Sequence, residues 1–106
     1  MPGSPRQIED ENKARANRRK HGISFETARL VFDDPLAVRE FDQEVAGEIR
    51  WRTTGMVNGC LLVPAAHTTE EEDGDEYIRI ISARPASPRE TERYFKENGE
   101  RGLLRG

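Results

Sequence analysis

The stretch EIRWRTTGMVNGCLLVPAAHTTEEEDGDEYIRIISA, residues 48–83, decides the fold. Its first segment, Glu48 to Thr54, alternates Ile49, Trp51 and Thr53 with Arg50 and Arg52. That period of two is the mark of a half-buried strand with arginines on its other face. Asn58-Gly59 is a hairpin signal, because both residues tolerate the positive φ angles that a tight reversal needs. Cys60 to Thr68 reads as the next strand and is more continuously apolar. Pro64 within it lacks a backbone donor, which argues for a bulge or an edge at that point. An acidic loop is expected over 70–76. Tyr77 to Arg84 then reads as the last strand, with Ile78, Ile80 and Ser82 on one face and Arg79, Ile81 and Ala83 on the other.

Upstream, Asp10 is a suitable N-cap, and Glu11 to Lys20 is acidic at its start and basic at its end, as the helix dipole favours. Gly22 suits the position just past that helix. Ser24 caps a second short helix, whose apolar stripe is Phe25, Ala28, Val31 and Phe32 and which Asp33-Asp34-Pro35 stops. Leu36 to Asp42 reads as a strand, and Gln43 to Gly47 as a turn. Arg6 to Glu9 offers a weak first strand. Downstream, Ser87-Pro88-Arg89-Glu90 combines an N-cap, a proline at the first helical position and a capping box. That helix is expected to reach about Glu97 and to end at Asn98-Gly99. The expected architecture is α+β. Short connections between successive strands imply an antiparallel sheet, with two N-terminal helices and one C-terminal helix packed on one face. A single domain over 6–98 with flexible termini, 1–5 and 99–106, accounts for all 106 residues.

Composition narrows the function. Apolar residues are 34% and charged residues 35%, so only a modest core is available. The net charge of −3 conceals an uneven distribution: Glu70, Glu71, Glu72, Asp73, Asp75 and Glu76 are six acids in one segment, and the remainder carries +3. Lys13, Arg15, Arg18, Arg19 and Lys20 form one basic block, and Arg79, Arg84, Arg89 and Arg93 another. A basic face beside an acidic segment suits an anionic partner, although any one charge run also serves as ordinary solvated surface. The single cysteine excludes an internal disulfide framework. Two histidines and one cysteine far apart give no metal-ligand spacing, and no cofactor motif is present. No apolar run nears the ~18 residues of a membrane helix, and the N-terminus lacks the apolar core of a signal peptide, so the cytoplasm is the expected location.

Several motifs in order give a more specific indication. Lys20-His21-Gly22-Ile23-Ser24-Phe25-Glu26, Val31-Phe32-Asp33-Asp34-Pro35-Leu36-Ala37, and Arg79-Ile80-Ile81-Ser82-Ala83-Arg84 followed by Ala86 and Arg89-Glu90 resemble segments of the BrnT family of type II toxins. Asn17 and Trp51 match as well, and the resemblance spans roughly 10–97. It implies a RelE-like fold and a metal-independent endoribonuclease that cleaves RNA to inhibit translation. It also implies a BrnA-like antitoxin with a DNA-binding ribbon-helix-helix domain, usually in a heterotetramer. The chain departs from the family where relatives often carry an arginine shortly after the strand that ends at His67: here Thr69 and then acids follow. That departure favours the alternative, a catalytically weak or inactive partner-binding protein acting as corepressor. A third class, a generic nucleic-acid binder using 13–20 as a basic helix, predicts a steep salt dependence.

Metal-free RNA cleavage needs a group to take the 2′-hydroxyl proton, donors for the charged phosphorane, and an acid for the leaving oxygen. Arginine forks match phosphate oxygens. The catalytic candidates are therefore His67, Arg79, Arg84, Arg52 and His21, and the RNA-binding candidates Arg50, Arg89, Tyr94 and Lys20. Each has a structural alternative. His21 can complement a helix C-terminus, His67 can be a satisfied half-buried side chain, and Arg79 and Arg84 can pair with Glu90 or with aspartates near Asp33. Trp51 suits a core better than a base-stacking platform. The nuclease reading requires the guanidiniums to gather on one surface, free of internal ion pairs.

Overall fold

The computed structural model describes residues 6–7 and 10–103. The expectation for 1–5 lies outside these, as does 104–106. The elements are β1 (Arg6–Gln7), α1 (Glu11–His21), α2 (Phe25–Ala28), a 3-10 turn (Arg29–Asp33), β2 (Val38–Val45), β3 (Glu48–Val57), β4 (Leu61–Glu72), β5 (Asp75–Ala83) and α3 (Pro88–Leu103). The sheet order is β1-β5-β4-β3-β2. The pairs among β2 to β5 are antiparallel, and the two residues of β1 add to the β5 edge in parallel.

The sheet has two chemically distinct faces. On the core face, Val57, Val63, Ala65, Ile78, Ile80 and Ala83 pack against Ile23, Phe25, Ala28 and Val31 from the α2 region. Gly55 lies beneath the 3-10 turn, where an added Cβ would meet the Val31 carbonyl oxygen at 2.7 Å. The far face carries Glu40 on β2, Arg50, Arg52 and Thr54 on β3, Ala66 and Thr68 on β4, and Arg79 and Ser82 on β5, as the cross-strand register requires. α3 crosses this far face at the β2–β3 end, with Glu90, Arg93 and Tyr94 around Val38, Glu40 and Thr54. The helices therefore occupy both faces, not one. The sequence of α3 explains this: Glu90, Arg93 and the Tyr94 hydroxyl meet charged partners, and although Tyr94 is buried, no described residue of α3 joins the main apolar cluster.

Four boundaries differ from the sequence reading. The acidic segment is a hairpin arm rather than a loop: β4 and β5 stay paired to Glu72↔Asp75, and Asp73-Gly74 turns with φ of 53° and 83°, the doubly positive pattern of a tight hairpin. β2 likewise runs on to Val45 and turns only at Ala46-Gly47. In β5 the ladder passes from Ile80↔His67 to Ser82↔Ala66, so Ile81 is an extra residue. That bulge moves Ser82 to the face of Arg79 and Ala83 to the core. Finally, α3 continues through Asn98 and Gly99, because Asn98 uses its amide to donate to the Leu36 and Tyr94 carbonyls rather than to end the helix. Pro64 is accommodated in β4 because β5 stops at Ala83. The Leu62 carbonyl two residues earlier already takes Ala86 N–H, so the missing donor of Pro64 points past the end of the ladder.

Candidate active site

Two side chains, one amide and one carboxylate, lock the scaffold around the far face. Asn17, 6% exposed, donates to the Ile23 and Ala83 carbonyls at 2.8 Å each and accepts from Ala83 N–H at 3.0 Å. It pairs with β5 as one more strand residue would, and so ties α1 to the sheet edge. Asp34 accepts from Met56 N–H at 2.8 Å, Leu36 N–H at 2.9 Å and the Tyr94 hydroxyl at 2.6 Å. Burial works against its charge, but the donors Met56, Tyr94 and Leu36 together hold its carboxyl below the usual range. The same contact, after burial, pushes the Tyr94 phenol up to about 12. Tyr94 is 4% exposed, so it fastens α3 rather than facing solvent.

Arg50, Arg52 and Arg79 stand on the far face and Arg84 follows the end of β5, while Arg39 of β2 lies on the core face; the first four are in two different electrostatic states. Arg84 forms a two-pronged pair with Glu90 at 2.7 and 2.9 Å. This contact holds the Glu90 carboxyl down to about 2 and raises the Arg84 guanidinium. Arg52 lies 3.0 Å from Asp42, 3.4 Å from Glu40 and 3.8 Å from Glu90, and Arg93 reaches Glu40 at 3.1 Å. Arg52, Arg84 and Arg93 thus share Glu40, Asp42 and Glu90 in a network whose formal charges cancel. Arg50 and Arg79 differ. Their nearest carboxylates, Glu48 and Glu70, are both at 3.9 Å and are themselves 41% and 59% exposed. Arg79 pairs across β4 with Thr68, which is 3% exposed, and Arg50 lies on the same face of the next strand. The Arg50 Nε is buried and has no hydrogen-bond partner. Thr68 and Ala66 form a floor of small side chains between these two guanidiniums.

At the β5 border of this floor, Lys13, Lys20 and His21 of α1 line an open groove of about 240 Å³ with Asn17, Ile81 and Ser82. Ser82 belongs to both the groove and the far face, so the arginine row and the Lys20-His21 groove meet there.

His67 is elsewhere. It is fully buried on the core face, with Phe32 edge-on to its ring at 4.9 Å. Burial pushes its pKa down to about 4, the Thr68 carbonyl opposing and the Arg39 charge assisting. Nδ1–H donates to the Thr68 carbonyl at 3.3 Å, which leaves Nε2 to accept from the Thr53 hydroxyl at 2.7 Å, while Thr53 accepts from Arg39 Nε at 3.3 Å. The expectation of a catalytic His67 fails on geometry: it is fully buried, and the strand period puts it on the face opposite Arg50, Arg52 and Arg79. Arg89 is exposed on α3, with no described contact to the row. The row contains one element that pattern reading missed, the Ile81 bulge that brings Ser82 beside Arg79. A doubled isoleucine before a small residue was its only trace in the sequence.

A family model described as the ribonuclease toxin BrnT of type II toxin–antitoxin systems matches residues 9–90. The chain belongs to the BrnT family. The crystal structure of the ribonuclease toxin BrnT of Brucella abortus is similar at 29% identity and a TM-score of 0.55, covering 77% of this chain and 97% of that one. No curated protein matches. The BrnT match extends over α1, the whole antiparallel sheet and the start of α3, and so includes both the Arg50–Arg79 row and the groove of Lys20 and His21. Among the described residues no helix is long and apolar enough to cross a membrane.

Proposed function

We propose that this BrnT-family chain is an endoribonuclease toxin that cuts RNA without a metal ion and is neutralised by a BrnA-like antitoxin. The observation that carries this reading is the Arg50–Thr68–Arg79 row, two guanidiniums on one sheet face whose carboxylate partners, Glu48 and Glu70, are solvated and held at 3.9 Å. In the proposed reaction the RNA 2′-oxygen bonds to phosphorus and the P–O5′ bond breaks, leaving a 2′,3′-cyclic phosphate. Arg50 and Arg79 hold the phosphorane oxygens, where fixed donors act most strongly as charge develops. His21, on the adjoining groove, exchanges protons with the 2′-hydroxyl or the leaving oxygen, and Lys20 holds a neighbouring phosphate. Arg52 and Arg84 brace α3 and the strand end through Glu90. The antitoxin is a ribbon-helix-helix DNA-binding protein, the complex a heterotetramer, and the location cytoplasmic.

The purified chain incubated with RNA in EDTA should give fragments ending in 2′,3′-cyclic phosphate. Arg79→Gln and Arg50→Gln should each lower the rate by roughly 10²–10³-fold, the scale for losing one oxyanion donor. Full activity in both variants would remove the row from the mechanism. The second reading, an inactive corepressor, draws support from the neutralised Arg52 and Arg84 and from Glu70 beside Arg79. It predicts intact RNA and normal growth when the gene is expressed alone.

A further inference from the structure

The core face of the sheet extends past the helices that cover it. Beyond them, at the β2–β3 hairpin, it exposes an apolar patch: Phe41 is 58% and Ile49 46% exposed, and Trp51 stands edge-on to Phe41 at 6.4 Å. Such side chains clustered on a strand face are out of place on a free surface. The charge beside them is specific. Glu44 shares the face with Ile49, and on the β4–β5 arm Glu71 and Glu76 point the same way, with Glu72 and Asp73 at the tip. Of these, Glu76 is paired, to Arg39 at 3.2 Å.

We infer that this patch docks a basic amphipathic segment of a partner protein, apolar side chains on Phe41, Ile49 and Trp51 and lysines or arginines against the acidic arm. Charge selects this occupant over the others. RNA would bring phosphates to the acidic arm, and a second copy docked patch to patch would oppose two such arms; both are repelled. The patch lies on the opposite side of the sheet from the Arg50–Arg79 row, so the inference stands whether or not the row cuts RNA.

Trp51 is the single tryptophan of the chain, so its emission reports this patch alone. The full-length chain is titrated with a synthetic tryptophan-free lysine–leucine amphipathic peptide. Saturable blue-shifted emission is expected, with at least tenfold weaker binding for Phe41→Ser, for the Glu71→Lys/Glu72→Lys double variant, and for a leucine-free peptide of equal charge. Unchanged emission, or equal affinity for either variant or for the leucine-free peptide, overturns the inference. So does an equal response to an RNA oligonucleotide, or a dimer on gel filtration that Phe41→Ser dissolves. Phe41 is an exposed strand residue, so its variant tests docking without emptying the core, and RNA cleavage by the same sample reports separately on the nuclease reading.

Discussion

Replacing Asn17 by alanine should cost more stability than its short side chain suggests. The substitution removes three hydrogen bonds and leaves the Ala83 N–H and the Ala83 and Ile23 carbonyls without this partner. Each orphaned buried group costs about 1–3 kcal/mol, with carbonyls nearer the low end, so the sum is about 3–5 kcal/mol. A domain of this size has only about 5–15 kcal/mol in all. With a urea m-value of about 1–2 kcal/mol/M, the midpoint should fall by roughly 1.5–5 M at unchanged slope. Asn17→Asp refines the test. It keeps an acceptor for Ala83 N–H but sets a carboxylate against two carbonyl oxygens, so its folded pKa is raised above the unfolded value of about 3.9. Relative to the parent chain, this variant should be least stable at neutral pH and recover as pH falls through that raised folded pKa. A loss below about 1 kcal/mol for Asn17→Ala, or a pH-independent deficit for Asn17→Asp, would refute the strand-like role of the amide.

Other outcomes follow from the same geometry. Gly55→Ala should cost about 1–3 kcal/mol by overpacking, since its Cβ would meet Val31 backbone as well as side chain; thermal melting reads this as a fall of several degrees. His67 is neutral in the fold, so its contribution is complete above pH 6.5 and lost as pH falls toward about 4. At about 1.4 kcal/mol per pH unit this amounts to roughly 3 kcal/mol, and His67→Gln should flatten the stability curve in that window. The Glu90 pairing is complete above about pH 4.5 and lost as pH falls toward about 2. Because Arg84 is 42% exposed, solvent screening limits this to about 1–2 kcal/mol, and Glu90→Gln should remove that lower limb in acid titrations followed by circular dichroism.

Much of the fold was legible because its signals are local. The caps at Asp10, Ser24 and Ser87 act within three residues of themselves, and each is formed as expected. The alternation around Trp51 put Arg50 and Arg52 on one face without any knowledge of the partner strand. What stayed hidden depends on pairing. The extra residue Ile81 becomes apparent only in register with β4, and the two sides of the sheet become distinct only once the apolar 3-10 turn settles on one of them. His67 shows the same limit: histidine at a strand end suggests chemistry, yet Phe32 and Thr53, distant in sequence, enclose it. The separation of the arginines into neutralised and available sets was equally invisible, since it rests on contacts such as Arg93 with Glu40 that span half the chain.

The manner in which α3 is attached gives that helix a double character. Its moorings are a phenol on a carboxylate, an amide on a carbonyl and a carboxylate shared between two guanidiniums. Releasing them would expose the buried Tyr94 ring but leave the main apolar cluster covered, so lifting the helix should cost less free energy than global unfolding. Lifting would carry the Glu90 charge with it and leave Arg52 and Arg84 more positive toward solvent. A mechanical step at one end of the molecule is thereby also a change in the electric field over the side of the sheet where the available arginines stand.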